Sequence, residues 1–319
     1  MEERGMSHGE GQDTPDPEVV VYQQPEPQVR LVLLVLLGAC LLFALLGGIL
    51  FQLIVMVAGW DPAVLTGALA ADAPPAERWQ TRLLLAISHI STFLLAGWAV
   101  LRFFYPPVDR VFRYLKAAQL PETRPLLIGI LLMLVAIPLV LYTYNLNQAL
   151  PIPEALRALE EQANESIKGL LQMDNLLELL ANLALIALLP AIGEELVFRG
   201  IVQQQLMRRM GPWAAILLGA AIFSFIHFQF EGFLPRMLLG VLLGWLYWRS
   251  QNIWVPVGAH FVNNAFQVLA QYLYRQDIST IDLEQDIDVP WTAAAVSVVL
   301  LYGIVRWSEP NWVHKPDPQ

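Results

Sequence analysis

Glu194 and Glu195 stand side by side in the run Leu189-Pro190-Ala191-Ile192-Gly193-Glu194-Glu195-Leu196-Val197-Phe198-Arg199-Gly200, which is otherwise apolar enough to lie in lipid. A charged side chain at bilayer depth costs roughly 2.5–3.5 kcal/mol on insertion scales, so ionisable residues there mark a functional site by default. Glu195 and Arg199 are i,i+4 neighbours on one helix face and can pair. Glu194 points about 100° away from them. Arg199 then neutralises and positions Glu195, while Glu194 has no cation adjacent in sequence. A carboxylate in a partly dry cavity is suited to general-base work. These three residues read equally well as a buried ion pair in a transporter or a scaffold.

His227 ends the run Phe223-Ser224-Phe225-Ile226-His227, with Phe223 one turn earlier and able to pack on the imidazole. Taken alone, a histidine at this depth is more often only hydrogen-bonded to a neighbouring helix. His260 and Asn264 are again i,i+4, and Asn263 is slightly worse placed. An imidazole and a carboxamide one turn apart can donate to one small target such as an oxyanion. The same pair also serves as ordinary polar glue between helices.

The chain around these residues is membranous. Of 319 residues, 56% are hydrophobic and 15% charged, against about 25% charged in soluble domains. Mean hydropathy is +0.50. The expected fold is an all-α bundle of eight spans, near 30–58, 81–104, 125–145, 178–208, 212–230, 234–249, 253–274 and 290–307, each near the 20 residues that a bilayer requires. Pro190 interrupts the fourth and is expected to kink it. The catalytic cavity is expected among spans four, five and seven. Residues 1–28 read as a disordered acidic tail without a cleavable signal peptide, 29–174 as three spans plus an amphipathic segment near 146–174, 175–274 as the site-bearing core, and 275–319 as the last span and a tail.

Basic residues gather in the 102–124 connection, at Arg208 and Arg209, and at Arg249, whereas 59–80, 146–177 and 275–289 are poor in them. The positive-inside rule then places both termini in the cytoplasm of a multi-pass protein of the plasma (inner) membrane. Glu194 lies 14 residues before Arg208 and His227 lies 14 after Trp213, each about 21 Å along a helix. His260 and Asn264 are expected to be shallower, about 10–16 Å from Ile253. The cavity is expected to open to the cytoplasm. The lipid bilayer is the evident partner, and no basic patch recommends nucleic acid. Cys40 is the sole cysteine, which excludes an intrachain disulfide or a thiolate metal cluster.

Glu194-Glu195-x-x-x-Arg199, Phe223-x-x-x-His227 and His260-x-x-x-Asn264 resemble, in order, the three motifs of the CPBP (CAAX-protease and bacteriocin-processing, or Abi) membrane peptidases, which include the type II CAAX prenyl endopeptidase. The resemblance covers roughly residues 175–274. It implies an eight-helix intramembrane endopeptidase acting on membrane-associated proteins or peptides. It further implies that Glu194 activates water with help from His227, that His260 and Asn264 hold the oxyanion, and that Glu195, Arg199 and Phe223 support the site. No cofactor is expected. Zinc on Glu194, His227 and His260 is the metal alternative, and it would take Glu194 away from base duty. From other classes, a proton-coupled transporter and a non-catalytic scaffold on the same fold remain open.

Overall fold

The computed structural model describes residues 26–279, 288–309 and 312, so most of the expected N-terminal tail and the C-terminal one lie outside it. Among the described residues the fold is all-α. The helices are α1 (Val29–Ala58), α2 (Pro75–Phe104), α3 (Val108–Tyr114), α4 (Thr123–Gln148), α5 (Glu154–Leu170), α6 (Leu176–Met207), α7 (Pro212–Phe225), α8 (Phe233–Ser250), α9 (Trp254–Arg275) and α10 (Trp291–Ser308). Five of them, α1, α2, α4, α6 and α10, are long and apolar enough to cross a membrane. The chain is a multi-pass integral membrane protein. On α1 the bundle takes Val32 and Leu36, while Leu34 and Leu41 stay 68% and 66% exposed on the face left for lipid.

Hydrogen bonds between connections define the two ends of the bundle. At one end the Ile253 amide donates to the Lys116 carbonyl (3.4 Å), Asn252 Nδ2 to that of Gln119 (2.9 Å) and Gln204 Nε2 to that of Tyr114 (2.9 Å). Trp312 meets Trp245 there, with ring centroids 5.3 Å apart. At the other end the Leu69 amide donates to Ser166 Oγ (3.2 Å), Asn147 Nδ2 to the Phe230 carbonyl (2.7 Å), and the Glu231 amide to Glu160 Oε1 (2.9 Å). The basic connections thus share one end and the acidic ones the other. The acidic end is fastened by a buried cluster. Arg78 pairs with Glu178 (3.0 Å) and Asp174, and Arg82 pairs with Glu178 (2.8 Å) and donates to Asn182 Oδ1 (2.8 Å).

Two expectations change locally. The fifth span was expected to run to residue 230, but α7 ends at Phe225. His227 therefore sits in the turn beyond the helix, and Phe228 takes the left-handed region (φ 52°). The interruption at Pro190 takes the form of a π-helical turn over Leu183–Leu188, directly before it. A proline has no N–H to give the carbonyl four residues back, and its ring crowds that carbonyl. The carbonyl in question belongs to Ile186. It accepts a hydrogen bond from Asn264 Nδ2 on α9 instead (3.3 Å).

Candidate active site

The middle of α6 carries the acidic pair, and the two carboxylates have separate surroundings. Glu195 has no exposed surface and Arg199 is 2% exposed. Glu195 Oε2 lies 3.1 Å from Arg199 Nε, an ion pair whose N–H is not aligned for a hydrogen bond. Oε1 of Glu195 faces His260 Nδ1 at 3.0 Å. Arg199 also donates from Nη2 to the Gly240 carbonyl (3.3 Å) and lies 5.1 Å above the Phe223 ring. Glu195 thus faces a cation on one oxygen and an imidazole on the other.

Glu194 is 6% exposed and lies on the wall of a cavity of about 480 Å³. Its Oε2 is 3.9 Å from His260 Nε2, and its Oε1 is 3.5 Å from His89 Nε2. His89 was not legible in the sequence: no motif contains it, and a single histidine in an apolar run gives no periodic signal.

His227 Nδ1 lies 2.8 Å from the Phe223 carbonyl, which can only accept, so Nδ1 carries the proton and Nε2 keeps its lone pair. The carbonyl is free for this because α7 stops two residues later. Against a carboxylate, His260 likewise donates from Nδ1, so its Nε2 is a donor only in the imidazolium form. Phe223 sits among these groups, edge-on to His227 (5.1 Å) and to His260 (6.3 Å). Asn264 and Asn263 both line the cavity, and Asn263 Nδ2 donates to Asn264 Oδ1 (3.1 Å).

The cavity involves more of the chain than spans four, five and seven. Besides α6, α7 and α9, its wall includes His89 of α2, Tyr144 of α4 and Arg236 of α8, and Ile167 and Leu170 of the amphipathic α5 close over it. These elements belong to the acidic end, opposite the basic connections. The lining therefore lies toward the acidic end, and not toward the basic end to which the cavity was expected to open. A depth of about 21 Å from the basic side is already past the middle of a hydrocarbon core of about 30 Å. His260 is not shallower than Glu195 either. A Cβ on Gly200 would lie 3.4 Å from Ile253 Cδ1, so α9 begins level with Gly200 and not with Arg208. Near the cavity, burial raises the pKa of Glu160 on α5, and the hydrogen bond from the Glu231 amide opposes the rise.

Among the described residues, no three His, Cys, Asp or Glu side chains are grouped as a metal centre requires. His227 and His260 each bind a partner through Nδ1 and keep Nε2 inward, the orientation a metal would also use. The grouping does not fit a metal as it stands, and no chemical step below is routed through one.

Small residues bring α2 against α6. A Cβ at Gly193 would lie 3.0 Å from Phe93 Cβ, and one at Gly97 would lie 3.1 Å from Leu196 Cδ2. A methyl at Gly193 meets the fixed base of Phe93 and cannot be relieved by a rotamer change. Gly193→Ala is expected to destabilise the purified protein by about 1–3 kcal/mol, the range for overpacking a filled interior. Thermal unfolding in detergent checks this, and an unchanged midpoint would show that the two helices separate freely.

Residues 176–266 match the family model described as Type II CAAX prenyl endopeptidase Rce1-like. "Putative membrane peptidase YdiL" of Bacillus subtilis (strain 168) is 34% identical over 80 residues, which is 25% of this chain and 33% of that protein. "Uncharacterized protein YpbD" of the same organism is 34% identical over 84 residues, 25% of this chain and 40% of that protein. The chain thus spans between a third and two fifths of the length of these relatives. No solved structure matches it significantly. Glu194, Glu195, Arg199, Phe223, His227, His260 and Asn264 all fall within the matched stretch, and over that stretch the chain is similar to the Rce1-like type II CAAX prenyl endopeptidases.

Proposed function

We propose that this chain is an intramembrane endopeptidase that hydrolyses peptide bonds of membrane-associated proteins or peptides. The observation that carries the reading is the division of labour between adjacent carboxylates. Glu195 is buried against Arg199 and His260, while Glu194 faces the cavity between two imidazoles. The match to Rce1-like endopeptidases supports it, as does the name of one relative. CAAX-type processing is one member of the proposed substrate class.

In the proposed reaction Glu194 takes a proton from water, and the water oxygen attacks the scissile carbonyl carbon. His227 accepts the second water hydrogen at Nε2 and so orients the nucleophile. The oxyanion is received by His260 Nε2–H as imidazolium and by the remaining N–H of Asn264. Collapse breaks the C–N bond, and Glu194 returns its proton to the leaving amine. Glu194→Gln keeps the shape and removes the base. Comparing protein N-termini in membranes carrying the native chain or Glu194→Gln should reveal termini that need Glu194, and identical sets would refute the reading. Activity that survives exhaustive chelation supports the metal-free route. One tightly bound zinc per chain, lost together with activity in His260→Ala, would replace it with a metallopeptidase.

Asn264→Ala should lower turnover by about 100–1000-fold, the usual worth of one oxyanion donor, with a much smaller effect on KM. Asn263→Ala should do far less, because its first loss is the bond to Asn264. Steady-state kinetics on a peptide recovered from the N-terminal comparison distinguishes them. Equal effects would assign the donor to the pair.

We further propose eight crossings with both termini and the basic end in the cytoplasm. The cavity lining then lies nearer the opposite face. On a Cys40→Ser background, a cysteine at Glu161 should label from outside intact cells and one at Arg113 should not. Labelling at Arg113 alone would invert the topology.

A further inference from the structure

We infer that His89 is a positioning residue for Glu194, contributed by a helix that lies outside the stretch matched to known peptidases. The inference rests on the hydrolytic reading above and adds a group that its three motifs do not contain. His89 Nε2 is 3.5 Å from Glu194 Oε1, its side chain is 19% exposed, and it lines the same cavity.

Its placement follows from local structure on both helices. Phe93, one turn after His89, packs against its ring in a tilted contact at 5.4 Å. Phe93 is also the residue that packs over Gly193, the neighbour of Glu194. The bare backbone at Gly193 therefore sets how closely α2 approaches, and His89 is carried to the carboxylate by that approach. A π-helical turn, Ile90–Leu95, begins immediately after His89 and shifts the face that α2 presents beyond it. His89 and Phe93 remain on the α6 side of the junction.

The two oxygens of Glu194 are then distinguished. Oε1 faces His89 Nε2 at 3.5 Å, a distance that closes to a hydrogen bond with a small shift of either side chain, and Oε2 is the oxygen toward His260 and the reacting water. Without His89, the carboxylate is free to rotate about its last bond and to spend time turned from the nucleophile. His89 needs only to donate from Nε2, and a glutamine amide reaches a similar position.

Two measurements test this. On the peptide used for the asparagine variants, His89→Ala should lower kcat by about 10–100-fold, the worth of one hydrogen bond to a charged group, with KM within about twofold. His89→Gln should recover most of the loss. A rise in KM alone, equal losses in both variants, or no loss overturns the inference. The second measurement needs no turnover. In 15N-histidine NMR of the purified protein, the His89 signal is identified by its disappearance in His89→Gln. It should move in Glu194→Gln, and a signal indifferent to that change overturns the inference by itself. If instead the N-termini in membranes do not depend on Glu194, the peptidase reading falls and the role of His89 falls with it.

Discussion

The site depends on a carboxylate that does no chemistry in the proposed reaction. Glu195 is wholly removed from solvent between Arg199 and His260. Removing one partner from such a buried pair leaves a charge with no compensation, a loss on the order of 3–5 kcal/mol. Arg199 is fixed in turn by the Gly240 carbonyl and the face of Phe223. Through Glu195 the register of α6 is locked to α9, and through Arg199 to α7 and α8. The free carboxylate of Glu194 is possible because its neighbour absorbs the structural load.

The same economy shapes the polar groups at the cavity. Each imidazole is committed through Nδ1, His227 to a carbonyl left over by the end of α7 and His260 to Glu195. Each Nε2 is thereby left uncommitted to the backbone or to Glu195. Phe223 contributes its carbonyl to one histidine, its edge contacts to both and its face to Arg199. Its conservative-looking position in the middle of an apolar helix hides four separate duties.

Spacing within one helix was legible in the sequence. The pairing of Glu195 with Arg199 follows from i,i+4 geometry, and the alternation of basic and acidic connections from loop composition. Contacts between helices were not. The bond from Glu195 to His260 spans 65 residues, and the approach of His89 to Glu194 depends on the absent side chain of Gly193. The face on which the cavity lies was misjudged because depth was counted from loop residues. That count assumes that helices start level, and the contact of Ile253 with Gly200 shows that α9 does not. The end of α7 was missed because Ile226 and Phe228 continue the apolar run while the backbone has already turned.

Pro190 has a consequence for how the chain enters the bilayer. A polar group left unsatisfied in lipid costs several kcal/mol, and α6 carries the Ile186 carbonyl, which Pro190 cannot serve, together with the Glu195–Arg199 pair. Their eventual partners are Gly240, His260 and Asn264, which lie 41, 65 and 78 residues further along. At about 5–20 residues per second, the last arrives roughly 4–16 s after its counterpart has been made. During that interval α6 is a poor passenger for bare lipid. The contacts that satisfy the polar groups of α6 inside the bundle are thus completed only once α9 has been made.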